Sequence, residues 1–262
     1  MGVVGAAVAT VISRFVEAGI IMVWTHRHPQ RMPFIRGAYS SFKVPMELVK
    51  KIAVMGTPLL LNEVMWSMGT TFLNQCYSVR GLEVISALNI SSTVSNLFFC
   101  AFFAMGTTVS VVVGQLLGAG ELERAVDEAK KLIAFAVALC AVVGTVLVLV
   151  SPVIPEIYNT TETVKALAAQ LLMVSGCLTP FHAFCNTCYF TLRSGGKTVI
   201  TFIFDSGYIW CICVPLAFVL SRFTSLPILP LYIIVQSLEL IKCVLGAEMI
   251  RRRKWVNNLV SK

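Results

Sequence analysis

Seven long apolar stretches, at roughly 2–25, 48–78, 83–117, 131–153, 164–191, 198–221 and 230–250, take up almost the whole chain. A spanning helix needs about 20 apolar residues, and each stretch meets or exceeds that length. Lipid offers no hydrogen-bond partner to a backbone N–H or C=O, so such a run crosses only as a helix. The expected fold class is all-α, a polytopic transmembrane helical bundle of seven spans. Composition agrees: 57% of the 262 residues are hydrophobic and 13% charged, with a mean hydropathy of +0.82. That balance excludes an ordinary soluble globule.

Charge placement sets an expected orientation, because short cytoplasmic loops retain Lys and Arg. One set of alternate loops carries Arg27, Arg31, Arg36, Lys43, Lys50 and Lys51, then Arg124, Lys130 and Lys131, then Arg193 and Lys197. Arg251, Arg252, Arg253, Lys254 and Lys262 fall on the same side. The opposing loops hold Arg80, Lys165 and Arg222. The expectation is a multi-pass plasma-membrane protein with its N-terminus outside and its C-terminus cytoplasmic. Its net charge of +8 is then a topology signal, and the expected partner is the lipid bilayer rather than nucleic acid.

Glu63 and Asp205 each lie deep in an apolar stretch with no opposite charge within four positions. A carboxylate at the bilayer centre costs about 2.5–3.5 kcal/mol on insertion scales, which makes each a candidate functional group. Other charges read as local pairs at helical spacing: Arg14 with Glu17, Glu239 with Lys242, and Glu248 with Arg251 and Arg252. Glu63, Ser67, Thr70, Asn74 and Tyr77 follow i, i+4, i+7, i+11, i+14, a polar stripe along one helix face. Asn89, Ser92, Thr93 and Asn96 repeat the pattern in the next span. Such stripes either glue helices together or line a water-filled cavity, and the nearby carboxylate favours the cavity.

All nine cysteines fall within apolar stretches and read as small buried thiols. His182, Cys185 and Cys188 have metal-like spacing but no second ligand pair. No metal site is expected. The turn Gly114 to Ala125 is rich in glycine but lacks the Gly-Lys-Ser or Gly-Lys-Thr of a phosphate loop, so ATP hydrolysis has no support.

Several segments in order carry a resemblance: Gly2 to Glu17, Thr57-Pro58-Leu-Leu-Leu-Asn62-Glu63-Val-Met-Trp66, the Gly114 to Ala125 turn, Leu192-Arg193-Ser-Gly195-Gly196-Lys-Thr198, and Asp205 followed by Trp210 and Val214-Pro215-Leu216-Ala217. Together the chain resembles the multidrug and toxic compound extrusion (MATE) transporters of the NorM-like kind. The resemblance implies twelve helices in two six-helix bundles. On that pattern 1–25 is similar to the sixth helix, 26–47 to a cytoplasmic inter-bundle linker, 48–253 to the second six-helix bundle, and 254–262 to a cytoplasmic tail. The implied missing partner is the N-terminal six-helix bundle.

The resemblance further implies secondary active multidrug efflux by alternating access. A proton or sodium ion enters as an organic, often cationic, small molecule leaves, with no other cofactor and no enzymatic step. NorM-type members place a coupling Glu on helix seven and an Asp on helix ten. Glu63 corresponds to the first, about one turn nearer its proline. His182 stands at the second position, and Asp205 lies one helix further on. Glu63, Asp205 and His182 are thus the expected cation-coupling residues. Asn62, Trp66, Thr70, Asn89, Asn96, Asn186 and Tyr208 are expected to line the substrate cavity, and Pro58, Pro180 and Pro215 to bend their helices. Two alternatives stand beside this: a lipid-linked saccharide flippase of the related superfamily, which cavity-facing arginines would favour, and a membrane-embedded metal or redox enzyme using His182, Cys185 and Cys188.

Overall fold

The computed structural model describes residues 2–32, 35, 44–253, 255 and 256, and among them all regular structure is helical. The helices are α1 (Gly2–Arg27), α2 (Met46–Ser78), α3 (Leu82–Gly118), α4 (Leu122–Val150), α5 (Glu162–Ser194), α6 (Thr198–Phe223) and α7 (Ile228–Arg251). Six of them are long and apolar enough to cross a membrane. The exception is α2, which has 33 residues but is diluted in hydropathy by the polar stripe around Glu63. Residues 33, 34 and 36–43 of the expected linker 26–47, and 254 and 257–262 of the expected tail 254–262, lie outside the described residues.

The chain divides into two compact units, Met1–Val54 and Met55–Lys262, with the division inside α2. In the first unit α1 bears exposed Val8, Ile12, Phe15 and Ile20, the surface a helix presents to lipid rather than to water. Arg14 pairs with Glu17 at 2.8 Å within this helix, as expected.

In the second unit α5 is the central helix, packed against α3, α4 and α7. The two larger clusters of buried apolar side chains sit at the ends of the bundle, with smaller ones around Leu147 and Phe102 between them. One cluster joins Tyr77, Ala87, Leu171, Ala217 and Leu231, beside the α2–α3, α4–α5 and α6–α7 connections. The other joins Val113, Leu117, Val126, Leu192, Phe204 and Trp255 beside the remaining connections. Between α4 and α5 the backbones themselves meet. A Cβ added at Gly176 would lie 2.7 Å from Val148 Cγ2 and 2.9 Å from the Gly144 carbonyl oxygen. Lipid is as apolar as a leucine surface, so close approach through small residues replaces the hydrophobic drive between such helices.

The glycine-rich turn after α3 also has a physical reason. Gly120 adopts φ of 81°, the Glu121 N–H bonds the Leu116 carbonyl at 3.0 Å and the Gly120 N–H bonds Leu117 at 3.2 Å. This paired closure satisfies the last carbonyls of the helix and needs a residue at ease with positive φ.

Two spans depart from regular α-helix, and both departures position polar groups. In α6, π-helical turns at Ile203–Gly207 and Ile209–Cys213 interrupt the helix before α-helical spacing resumes at Val214. Pro215 sits at the start of that resumed segment, where its missing N–H costs little. Pro58 and Pro180 lie inside uninterrupted α2 and α5. In α7, the hydrogen bonding tightens locally at Leu238, between Ile228–Ser237 and Glu239–Arg251, where the Ile241 N–H bonds the Leu238 carbonyl at 2.8 Å while the backbone stays helical.

Candidate functional site

Asp205 falls on the first π-helical turn of α6, a widened turn of the kind that recurs at functional sites. The turn aims its carboxylate at α7, where Lys242 Nζ donates to Oδ1 at 2.8 Å. From α2, the Asn62 amide donates to Asp205 Oδ2 at 3.2 Å and to the Tyr189 hydroxyl of α5 at 3.2 Å. The Ser206 hydroxyl donates to the Asn62 side-chain oxygen at 2.8 Å. The side chains of Asp205 and Lys242 are 15% and 10% exposed, so water contributes little to solvating either charge. Lys242 also lies 5.3 Å from the Phe204 ring centroid and 5.9 Å from that of Tyr208, within cation–π range.

A second pair adjoins the first. His182 Nδ1 on α5 is 3.6 Å from Glu239 Oε1 on α7, and the Tyr208 hydroxyl donates to the Leu238 carbonyl of α7. Cys185 and Cys243 bring their sulfurs to 3.2 Å beside it. Four helices, α2, α5, α6 and α7, are thus joined through charged and polar groups inside an apolar bundle.

This arrangement corrects the reading of Glu239 and Lys242 as one neutralised local pair. Each turns inward to a partner on another helix, Glu239 to His182 and Lys242 to Asp205. In a low-dielectric interior every charge seeks the partner with the best geometry, and spacing along one helix does not select it. Asp205, which has no opposite charge near it in sequence, is therefore paired in space. The local pairs at the bundle's rim hold, with Glu248 2.7 Å from Arg252 and 4.0 Å from Arg251.

Glu63 stands apart from this network. Its side chain is 62% exposed, with the carboxylate 4.0 Å from Arg193. Successive residues of a helix point about 100° apart, so Asn62 enters the bundle while Glu63 leaves it. Trp66 is exposed as well.

The polar stripes of α2 and α3 meet across a cavity of about 580 Å³, lined by Thr70, Asn74, Asn89, Ser92, Ser95 and Asn96, with Ser175, Tyr232 and Gln236 behind. Among its described lining residues there is no charged side chain. Of the residues expected to line a cavity, Thr70, Asn89 and Asn96 do so, whereas Asn62 and Tyr208 belong to the charged network. Phe99 closes the inner wall, and its ring centroid is 6.0 Å from that of His182. Along α7, Tyr232, Gln236, Glu239 and Lys242 share a face at helical spacing, which carries polar groups from the cavity to the network. Gln236 Nε2 donates to the Tyr232 hydroxyl at 3.0 Å, and that hydroxyl is 3.1 Å from Ser175 Oγ.

Asn186, also expected in the cavity, instead donates its amide to the Phe102 carbonyl at 2.9 Å and ties α5 to α3. Replacing Asn186 with Ala is therefore expected to cost about 0.6–2 kcal/mol of stability. Thermal unfolding of the purified protein in detergent checks this, and an unchanged midpoint would remove the tie from the account.

Lys242, Glu239 and Ser206 are the site residues that sequence reasoning missed. The signal that reveals Lys242 and Glu239 is a count of charges across all spans, in which Asp205 and His182 need partners. Nothing in the sequence singles out Ser206. Among the described residues no three of His, Cys, Asp and Glu come together as metal ligands.

Comparison with known proteins follows the same lines. The MatE family profile matches residues 58–221. The chain is 26% identical over 239 residues to the Bacillus subtilis (strain 168) protein named "Probable multidrug resistance protein YoeA", across 89% of this chain and 50% of that protein. It is 25% identical over 236 residues to "Probable multidrug resistance protein NorM" of Thermotoga maritima, across 89% and 49% respectively. The fold matches a solved structure described as "Crystal structure of MATE in complex with MaL6", with a TM-score of 0.75 at 19% identity over 97% of this chain and 58% of that one. The chain spans about half the length of the curated relatives it matches.

Proposed function

The chain belongs to the MatE family, and from that premise we propose that it supplies the second-bundle part of a secondary transporter that expels varied small organic molecules in exchange for an entering cation. It is a multi-pass membrane protein, and the proposed orientation puts its C-terminus in the cytoplasm, with 1–25, 26–47, 48–253 and 254–262 acting as helix six, linker, second bundle and tail. The observation that carries the reading is the four-helix charged network around Asp205 and Lys242. Buried intramembrane charges are costly, and their retention suits groups whose charge state changes during a transport cycle.

In the proposed cycle a cation arriving at the network neutralises a carboxylate. A neutral Asp205 no longer holds Lys242, and a neutral Glu239 no longer holds His182, so α6 and α5 are each released from α7. A switch of partners of this kind gives the bundle two discrete arrangements, and the entering ion biases them by its different affinity for each. The cavity of amides and hydroxyls offers hydrogen bonds to an organic molecule without committing to one shape. The exposed Glu63, with Arg193 beside it, is proposed as a second carboxylate that attracts cationic substrates. The flippase alternative draws no support from the cavity, whose described lining contains no arginine.

Replacing Glu239 with Gln in the full-length protein is expected to lower the initial rate of proton-driven ethidium efflux from proteoliposomes by about tenfold or more, a loss in the usual range of coupling free energies. An efflux rate equal to wild type, with the protein correctly inserted, would refute the network as the coupling site.

A further inference from the structure

Resting on the antiport reading, we propose that Lys242 is a built-in cation that restricts the coupling ion of this bundle to the proton. Its ammonium fills the place that a sodium ion would take beside Asp205, so no alkali-metal ion binds there.

Sodium in a membrane protein is held by carboxylate oxygens together with backbone carbonyls freed where a helix unwinds. The region has a carboxylate, Asp205, on a π-helical turn, but the α7 backbone stays helical at Leu238, whose carbonyl accepts from the Ile241 N–H at 2.8 Å and the Lys242 N–H at 3.3 Å. The oxygens around Asp205 likewise already face donors. Asp205 Oδ1 accepts from Lys242 at 2.8 Å, and Oδ2 accepts from Asn62 at 3.2 Å. The Asn62 side-chain oxygen accepts from Ser206 at 2.8 Å. The Leu238 carbonyl accepts from the Tyr208 hydroxyl, and Glu239 Oε1 faces His182 at 3.6 Å. A sodium ion entering here would have to displace several donors at once and repel an ammonium within hydrogen-bond reach of its principal ligand.

The charge count reaches the same end. Asp205 and Glu239 bring two negative charges, Lys242 one positive, and His182 none or one. The network thus has room for one more positive charge. A proton supplies it without a coordination shell, on His182 or on either carboxylate. The other titratable groups facing the network are Cys185 and Tyr189 on α5, Tyr208 and Cys213 on α6 and Cys243 on α7, while α2 contributes the uncharged Asn62, and Arg193 on α5 reaches Tyr189 with Glu63 of α2 beside it. Arg193 has its own carboxylate in Glu63, 4.0 Å away, and Lys242 is the cation in direct contact with Asp205, which makes it the group that decides ion choice.

Radiosodium binding to the purified full chain in detergent, read alongside ethidium efflux from proteoliposomes under separate proton and sodium gradients, tests the proposal. Wild-type protein should show no saturable sodium binding that depends on Asp205, and its efflux should respond to the proton gradient alone. Lys242→Met should gain saturable sodium binding, and Asp205→Asn/Lys242→Met should lose it again. Sodium binding by wild-type protein that Asp205→Asn abolishes overturns the proposal, as does a folded Lys242→Met variant that binds no sodium. If Lys242→Met fails to fold, the wild-type and Asp205→Asn measurements decide alone. Sodium binding that follows the expected pattern while neither gradient drives efflux would instead defeat the antiport reading and leave the role of Lys242 standing.

Discussion

Replacing Asp205 with Asn is expected to destabilise the folded protein by about 3 kcal/mol, because it leaves the Lys242 ammonium without the carboxylate 2.8 Å from it. The cost comes from stranding a charge, not from losing an attraction that outweighs desolvation. Removing both charges should therefore recover most of the loss, and Asp205→Asn/Lys242→Met is expected to unfold within about 1 kcal/mol of wild type. Equilibrium unfolding in mixed detergent micelles measures both numbers. A double variant as unstable as the single one would mean that the pair is held for its strength. Efflux should be lost in the single and double variants alike, since the proposed exchange of partners needs both charges.

The second large effect is steric and far from any charge. At Gly176 an added Cβ would lie 2.7 Å from Val148 Cγ2 and 2.9 Å from the Gly144 carbonyl oxygen. Backbone cannot swing aside as a flexible side chain does. Gly176→Leu is expected to cost about 3 kcal/mol or more by forcing α4 away from α5, readable as a lower midpoint in detergent unfolding. A change below about 0.5 kcal/mol, the range of ordinary surface substitutions, would show that the two helices do not rely on this approach.

The helices themselves were legible in the sequence, because bilayer thickness and backbone satisfaction leave an apolar run of this length few options. The polar stripes were legible for the same reason, since spacing of three and four residues gathers Thr70, Asn89 and Asn96 on faces that meet across the cavity. What the sequence hides is rotation and partner choice. Glu63 and Asn62 are neighbours in the chain, yet only Asn62 reaches the network, and no local rule sets which of the two turns inward. Glu239 and Lys242 satisfy the i, i+3 pairing rule and still bond elsewhere, because that rule describes a helix surrounded by water. The π-helical turns of α6 leave no mark in a pattern read at 3.6 residues per turn. They nevertheless set where Asp205 points.

The polar face of α7 has an electrical consequence. From Tyr232 to Lys242 it rises about 15 Å at 1.5 Å per residue, roughly half of a hydrocarbon core about 30 Å thick. A charge passing along that face between the cavity and Lys242 therefore traverses about half of the membrane voltage, worth about 1.2 kcal/mol per 100 mV.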